Sequence, residues 1–301
     1  MERLCQKFGK DKVFSGDVKQ TSENNGRFVF CDISDCQLLE KIVTENNIKW
    51  IFNMAAILSM GCELDHLLAF KVNVQGFQNV MEMARLYSVR ITHASSIGTF
   101  GPSTPMQMTP DVSIQRPPML YGCTKVYAKL LGEYYHRKWG VDFRSLRYPV
   151  IIADSGRDLK NLKTSIVGSA PLMFQEAAKG GHCILDIADY SCMPYIHIED
   201  CVEGTIKLME AKNENLTVRT YNIMAFSATM AELLEEINKI EPNFKVDFQP
   251  DPMKQPLVDA LVDSVDDSNA RKDWAWNPIY NKEKLVKEMI ANHRQKIIAN
   301  K

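Results

Sequence analysis

A chain of 301 residues, 45% of them hydrophobic, can bury one large α/β core with a smaller appendage, or two ordinary domains. Its 36 basic and 37 acidic residues are interspersed, for a formal net charge of -1; this excludes the one-signed field that gathers nucleic acid or an anionic membrane, and a small molecule is the expected partner. No apolar run approaches the ~20 residues that span a bilayer, Met1 to Lys10 has no secretory stretch, and eight cysteines without a C-x-x-C pair among six scattered histidines outline neither a disulfide framework nor a metal site.

In chain order, the short apolar runs Val13-Phe14, Phe28-Val29-Phe30 and Trp50-Ile51-Phe52, with Val89 to Thr92 and Phe143 to Arg147, predict strands. Between them, Cys36 to Glu45, Leu67 to Tyr87 and Tyr121 to Trp139 carry apolar residues at helical spacing, the last after Pro117-Pro118. The alternation predicts βαβ units: a Rossmann-like, doubly wound parallel sheet. After Pro149 the pattern predicts a helix over Ala170 to Lys179, a strand at Tyr195 to Ile198 and a helix from Asp200 to Ala211. A helix at Met230 to Ile240, an exposed segment from Pro250 to Leu261 and the block Asp267 to Trp274 then suggest a small substrate-binding lobe. The expected division is a cofactor domain over residues 1–150 and a lobe over 151–301, with 195–225 returning to the first.

Glu2 to Phe8 reads as the tail of a helix running into Val13-Phe14. The chain is therefore expected to open partway through a βαβ unit, with the leading strand and its glycine-rich phosphate turn missing, as in a truncated copy.

The chemistry centres on Tyr121-Gly-Cys-Thr-Lys125, with Ser96 upstream at the end of a strand. Y-x-x-x-K alone is weak, and this chain has three: Tyr121/Lys125, Tyr134/Lys138 and Tyr280/Lys284. Context selects the first, which opens a helix and has a serine partner; the other two are expected to be solvated helix faces. Residues four apart share a helix face, so the Lys125 ammonium can favour the Tyr121 phenolate and reach ribose hydroxyls. Ser96 would hold the reacting oxygen. Asp17, closing Val13 to Asp17, can accept both hydroxyls of an adenosine ribose, which argues for NAD over NADP. Asp32-Ile33 could cover the adenine, Ala55-Ala56 allow close backbone approach, and Asn73, polar within an apolar helix, could bridge strand ends near the ribose.

Several blocks in order, among them Ser96 to Pro102, Ile114 to Pro117, Phe143 to Pro149, Arg219 to Ile223 and Asp266 to Trp274, resemble the extended short-chain dehydrogenase/reductases, and within them the animal-type L-threonine 3-dehydrogenases. The resemblance covers nearly the whole chain. It implies oxidation of L-threonine by NAD to 2-amino-3-oxobutanoate, a step toward glycine in mitochondria, by a homodimer paired through the helices that bear the catalytic tyrosine. Carried over by position, Ser96, Tyr121 and Lys125 are catalytic, and Asp17, Asp32, Ile33, Ala55, Ala56, Asn73, Tyr121, Lys125 and Tyr148 surround the cofactor. Ser59, with Ser96 and Tyr121, faces the substrate. The chain departs from relatives at Val150, where they tend to carry glycine, and over Lys163 to Gly168, which replaces a glycine- and threonine-rich segment. A non-catalytic relative and a nucleotide-sugar epimerase or dehydratase remain the alternatives.

Overall fold

The computed structural model describes residues 1–20, 26–154 and 166–299. The chain forms two compact units, one made of Met1–Ala94 with Thr124–Ser145, the other of Ser95–Cys123 with Leu146–Lys301.

The first unit alternates strand and helix: α1 (Glu2–Phe8), β1 (Phe14–Asp17), β2 (Arg27–Phe30), α2 (Cys36–Glu45), β3 (Trp50–Asn53), α3 (Ser59–Leu64), α4 (His66–Ala69), a π-helical turn at Phe70–Gly76, α5 (Phe77–Tyr87) and β4 (Arg90–Ser96). Then come α6 (Leu120–Trp139) and β5 (Phe143–Tyr148). Helices α2 and α4 start at side-chain caps. The carboxylates of Asp35 and Asp65 accept from the backbone N–H groups of Leu38 and Leu68, satisfying donors that the first turn leaves open. Helix α5 stops at Ser88, which takes the left-handed conformation at φ 52°.

β1 pairs with β2 in parallel, Phe14 opposite Arg27, and β3 pairs with β4 in parallel, Trp50 opposite Arg90 and Asn53 opposite His93. The strand order of the larger sheet is β3-β4-β5-β9, where β9 is Thr220–Asn222. Phe77, Val80 and Met81 of α5 bury with Ile91 of β4 and Phe143 of β5, each such side chain contributing roughly 1.5–3 kcal/mol.

The second unit continues with β6 (Val150–Ile152), α7 (Ser169–Lys179), β7 (His182–Leu185), β8 (Cys192–His197), α8 (Ile198–Glu210), β9, β10 (Phe226–Thr229), α9 (Met230–Asn238) and β11 (Lys245–Phe248). It ends with α10 (Gln255–Asp259), α11 (Ser268–Trp274) and α12 (Lys282–Ala299). β6 runs parallel to β8, β10 antiparallel to β8, and β11 parallel to β7. A capping box starts α9: Thr229 accepts from the Glu232 N–H while the Glu232 carboxylate accepts from the Thr229 N–H. Met173, Phe174, Tyr195, Leu233 and Leu285 lie in the core of this unit.

Three expectations change. Leu67 to Tyr87 is not one regular helix, because the π-helical turn interrupts it. Pro250 to Leu261 is exposed only in part. Val258 is buried in the core, and the Gln255 amide bonds Ser191 Oγ, Asp259 Oδ1 and the Ala188 N–H, so its polar residues serve an internal staple. Tyr280 is not on a solvated face: it is buried, stacks on His197 at 3.8 Å and donates to Glu199 and Glu288, with Lys284 over its ring. Tyr134/Lys138, by contrast, is an exposed helix pair, joined by a 2.8 Å hydrogen bond.

Candidate active site

β4 carries Ser96 as its last residue, and a 3₁₀ turn at Ile97–Thr99 follows at once. Ser96 Oγ accepts from the Gly98 N–H at 3.0 Å and so caps this turn, while Thr99 Oγ1 donates to the Ser96 carbonyl at 2.9 Å. The position that a Cβ on Gly98 would take lies 3.4 Å from Ser96 Oγ and 3.7 Å from Cδ1 and Cε1 of Tyr121. The serine hydroxyl and the tyrosine ring therefore border the same small residue.

The first turn of α6 is held there by close packing. A Cβ on Gly122 would stand 2.2 Å from the Gly98 carbonyl oxygen and 2.4 Å from Pro117 Cβ, so only glycine allows the helix to settle on the turn. One turn along α6 from Tyr121 comes Lys125, on the same helix face. It is 3% exposed, and its ammonium donates to the Ala94 carbonyl at 2.6 Å. Burial pushes the ammonium down to about 8, with the nearby Cys62 thiol opposing the shift. The group that should tune the phenol is thus a desolvated cation, whose field is screened less than it would be in water.

Asn73 sits inside the π-helical turn, a feature often found at functional sites. Its Oδ1 accepts from the Ile57 N–H at 2.8 Å, and its Nδ2 donates to the Ile57 carbonyl at 2.9 Å and to Thr124 Oγ1 at 3.2 Å. The amide clamps the segment after β3, which contains Ala55 and Ala56, to the residue before Lys125. Ser59, half-buried, opens α3 just beyond this clamp.

The proposed adenosine residues lie at the ends of β1 and β2. Asp17 is exposed, with Oδ1 accepting from the Lys19 N–H at 2.9 Å. Hydrogen bonds from Ser34 hold the Asp32 carboxyl below its usual range, and the Ile33 carbonyl accepts from Asn79 Nδ2 at 2.9 Å. Ala55 is exposed and Ala56 half-buried after β3. The Asp17 and Asp32 carboxylates are acceptors, and the Lys125 ammonium a donor, of the chemistry that ribose hydroxyls of a nicotinamide dinucleotide require. Tyr148 is buried, and its hydroxyl shares a 2.6 Å hydrogen bond with Thr205 Oγ1. Val150 is buried opposite Tyr195 in β8, and Lys163, Thr164 and Ser165 lie outside the described residues.

Four contributors escaped the sequence reading. Thr124 and Cys62 both bond Asn73, but small polar residues in apolar patterns carry no distinguishing spacing. Gly122 lies inside the Tyr-to-Lys motif and could have been read as a close-approach position. His93, fully buried beside Phe77, has Nδ1 3.3 Å from Asn53 Nδ2; burial, with the Lys125 charge, holds it well below the ordinary imidazole range and therefore neutral.

Residues 3–223 match the NAD dependent epimerase/dehydratase family. The chain belongs to that family. It is 39% identical over 293 residues to the mitochondrial L-threonine 3-dehydrogenase of Bos taurus, covering 96% of this chain and 78% of that protein. The crystal structure of L-threonine dehydrogenase from Phytophthora infestans superposes with a TM-score of 0.93 at 38% identity, covering 100% of this chain and 94% of that one. A monomeric L-threonine 3-dehydrogenase from a metagenome, in its apo form, superposes with a TM-score of 0.91 at 32% identity, covering 98% of this chain and 94% of that one. Family membership accords with the α/β fold. Among the described residues no three His, Cys, Asp or Glu side chains are grouped to hold a metal ion.

Proposed function

We propose that this chain oxidises the secondary hydroxyl of L-threonine with NAD, giving 2-amino-3-oxobutanoate. The observation that carries the reading is the convergence of the Ser96 hydroxyl and the Tyr121 ring on Gly98, with the buried Lys125 ammonium one helical turn away.

Tyr121, as phenolate, takes the proton of the threonine hydroxyl. The Lys125 ammonium stabilises that phenolate, and its anchorage on the Ala94 carbonyl fixes where the charge stands. Ser96 donates to the substrate oxygen and holds it as the C–O bond becomes a carbonyl. NAD, when bound, supplies the acceptor for the hydride that leaves the same carbon. Asp17 and Asp32 would hold its adenosine end, Ile33, Ala55, Ala56 and Tyr148 would line its length, and Lys125 would bond the nicotinamide ribose. Asn73 keeps the Ala55-Ala56 segment in place, and Ser59 would meet the amino acid. The division into a cofactor part, residues 1–150, and a substrate lobe, 151–301, with 195–225 returning to the first, belongs to the same reading.

A homodimer and a mitochondrial setting complete the proposal. Leu67 and Phe70 before α5, and Leu130 and Tyr134 on α6, are exposed apolar side chains of the kind a partner helix pair would cover. Sedimentation would test the dimer, and fractionation of cells the location. The reaction itself is tested by the absorbance of NADH formed from L-threonine and NAD: Tyr121→Phe should abolish it, and a wild-type chain that forms none would reject the assignment.

A further inference from the structure

The loop from Gly101 to Pro117 joins the two segments that carry the reacting hydroxyls. Ser96 and its 3₁₀ turn stand at one end; Pro117, packed on Gly122 beside Tyr121, stands at the other. The two ends of the loop are drawn together, since a Cβ on Gly101 would lie 2.0 Å from the Arg116 carbonyl oxygen, and Thr104 Oγ1 donates to the Ile114 carbonyl at 2.7 Å. The middle is fastened by Asp111, 4% exposed. Its Oδ1 accepts from the Asn222 N–H at 2.5 Å and its Oδ2 from Asn269 Nδ2 at 3.0 Å. Arg147, wholly buried, has Nη1 3.9 Å from Asp111 Oδ1 and donates from the same atom to Asn222 Oδ1 at 2.9 Å. The Arg147 guanidinium also lies over the Phe100 ring, 5.0 Å from its centre, immediately after the turn that Ser96 caps. Asn222 Nδ2 completes the circuit by donating to the Thr109 carbonyl at 2.8 Å.

We infer that Asp111 is a positioning residue: paired with Arg147, it braces the loop between Phe100 and Pro117 and so sets the separation of the Ser96 and Tyr121 hydroxyls. The inference rests on the proposed reaction for its catalytic consequence, though not for its geometry. Arg147 touches one end of the loop, at Phe100 through its ring contact, and the loop middle through Asp111. A carboxylate is suited to the task because it accepts on both oxygens from two different segments, β9 and α11, while facing a buried cation. Burial pulls the Asp111 carboxyl above its usual range, and the bonds from Asn269 and Asn222, with the Arg147 charge, oppose that pull. An amide cannot copy the arrangement, since its NH₂ would face the Asn269 donor.

The test compares Asp111→Asn with the double variant Asp111→Asn/Arg147→Met, which removes the cation along with the carboxylate. Asp111→Asn is expected to lower kcat for L-threonine at least about tenfold while KM for NAD stays within about twofold, because misplacement of reacting groups acts on the chemical step. The double variant is expected to regain the melting temperature of the wild type without regaining kcat. Recovery of turnover together with stability would reduce Asp111 to a stabilising residue and overturn the inference, as would Asp111→Asn turning over at the wild-type rate. Crystal structures of wild type and Asp111→Asn give a readout free of turnover: the distance from Ser96 Oγ to Tyr121 Oη should change, and an unchanged distance overturns the brace. A wild type that forms no NADH would reject the reaction, and this comparison would still judge Asp111.

Discussion

The backbone of Gly122 rests against the carbonyl of Gly98 so closely that a methyl group on Gly122 would have to occupy the same space as that oxygen. The contact docks the first turn of α6 onto the turn after Ser96, and Tyr121 is the residue just before it. Gly122→Ala must push the two segments apart. We expect NADH formation from L-threonine to fall by about a hundredfold, the loss typical of an ångström-scale misplacement, with little change in NAD affinity. Steady-state kinetics with NAD titration would check it, and wild-type turnover would contradict the packing argument.

The Lys125 ammonium sets a second expectation. Burial brings it down to about 8, so the cation that favours the phenolate is lost as the pH rises through that value. NADH formation should therefore decline above pH about 8. Lys125→Arg, which keeps its charge, should lack this alkaline limb whatever activity it retains. A pH profile of kcat/KM for the two proteins decides the matter.

The same burial has a cost in stability. Between about 8 and the ordinary 10.5 the unfolded chain holds the Lys125 proton and the folded chain does not, so this group adds stability as the pH rises. Below about 8 the penalty is complete, on the order of 3 kcal/mol. Lys125→Met should accordingly raise the melting temperature at pH 7 while removing turnover, and calorimetry of the variant would test both sign and window. A fall in melting temperature would mean that the bond to Ala94 outweighs desolvation.

Asn73 makes a different kind of contribution. Asn73→Ala would leave the Ile57 N–H and carbonyl without their partner, at about 1–3 kcal/mol for each group that stays buried. The melting temperature should drop by several degrees, and hydrogen exchange of the Ile57 amide should quicken. Unchanged exchange at Ile57 would show that the clamp is not what holds this segment.

Much of this molecule could be read before its structure was known, for identifiable reasons. The strand at Trp50–Asn53 opens on three apolar residues, and α2 opens after an aspartate cap, so local composition and fold agree. The pairing of Tyr121 with Lys125 follows from helical geometry alone. What stayed hidden depends on distant partners. Nothing near Tyr280 announces that His197 will stack on it or that Glu288 will accept its hydrogen bond. Val258 looks like part of a polar, proline-bearing stretch until the core that receives it is known. The burial of Lys125 and the role of Asp111 belong to the same class, since each is decided by backbone groups many residues away.

The wide turn at Phe70–Gly76 inserts, in effect, one residue more than a regular helix would use. It rotates everything downstream by about 100° relative to α4, which is how Leu67 and Phe70 look outward while Phe77 and Met81 look inward along one continuous rod. Length in this stretch is therefore as constrained as composition. Removing a single residue between Phe70 and Gly76 would let the rod close into an ordinary helix and turn the Phe77 face away from Ile91 and Phe143, so insertions and deletions here should be tolerated far less than substitutions at the same sites.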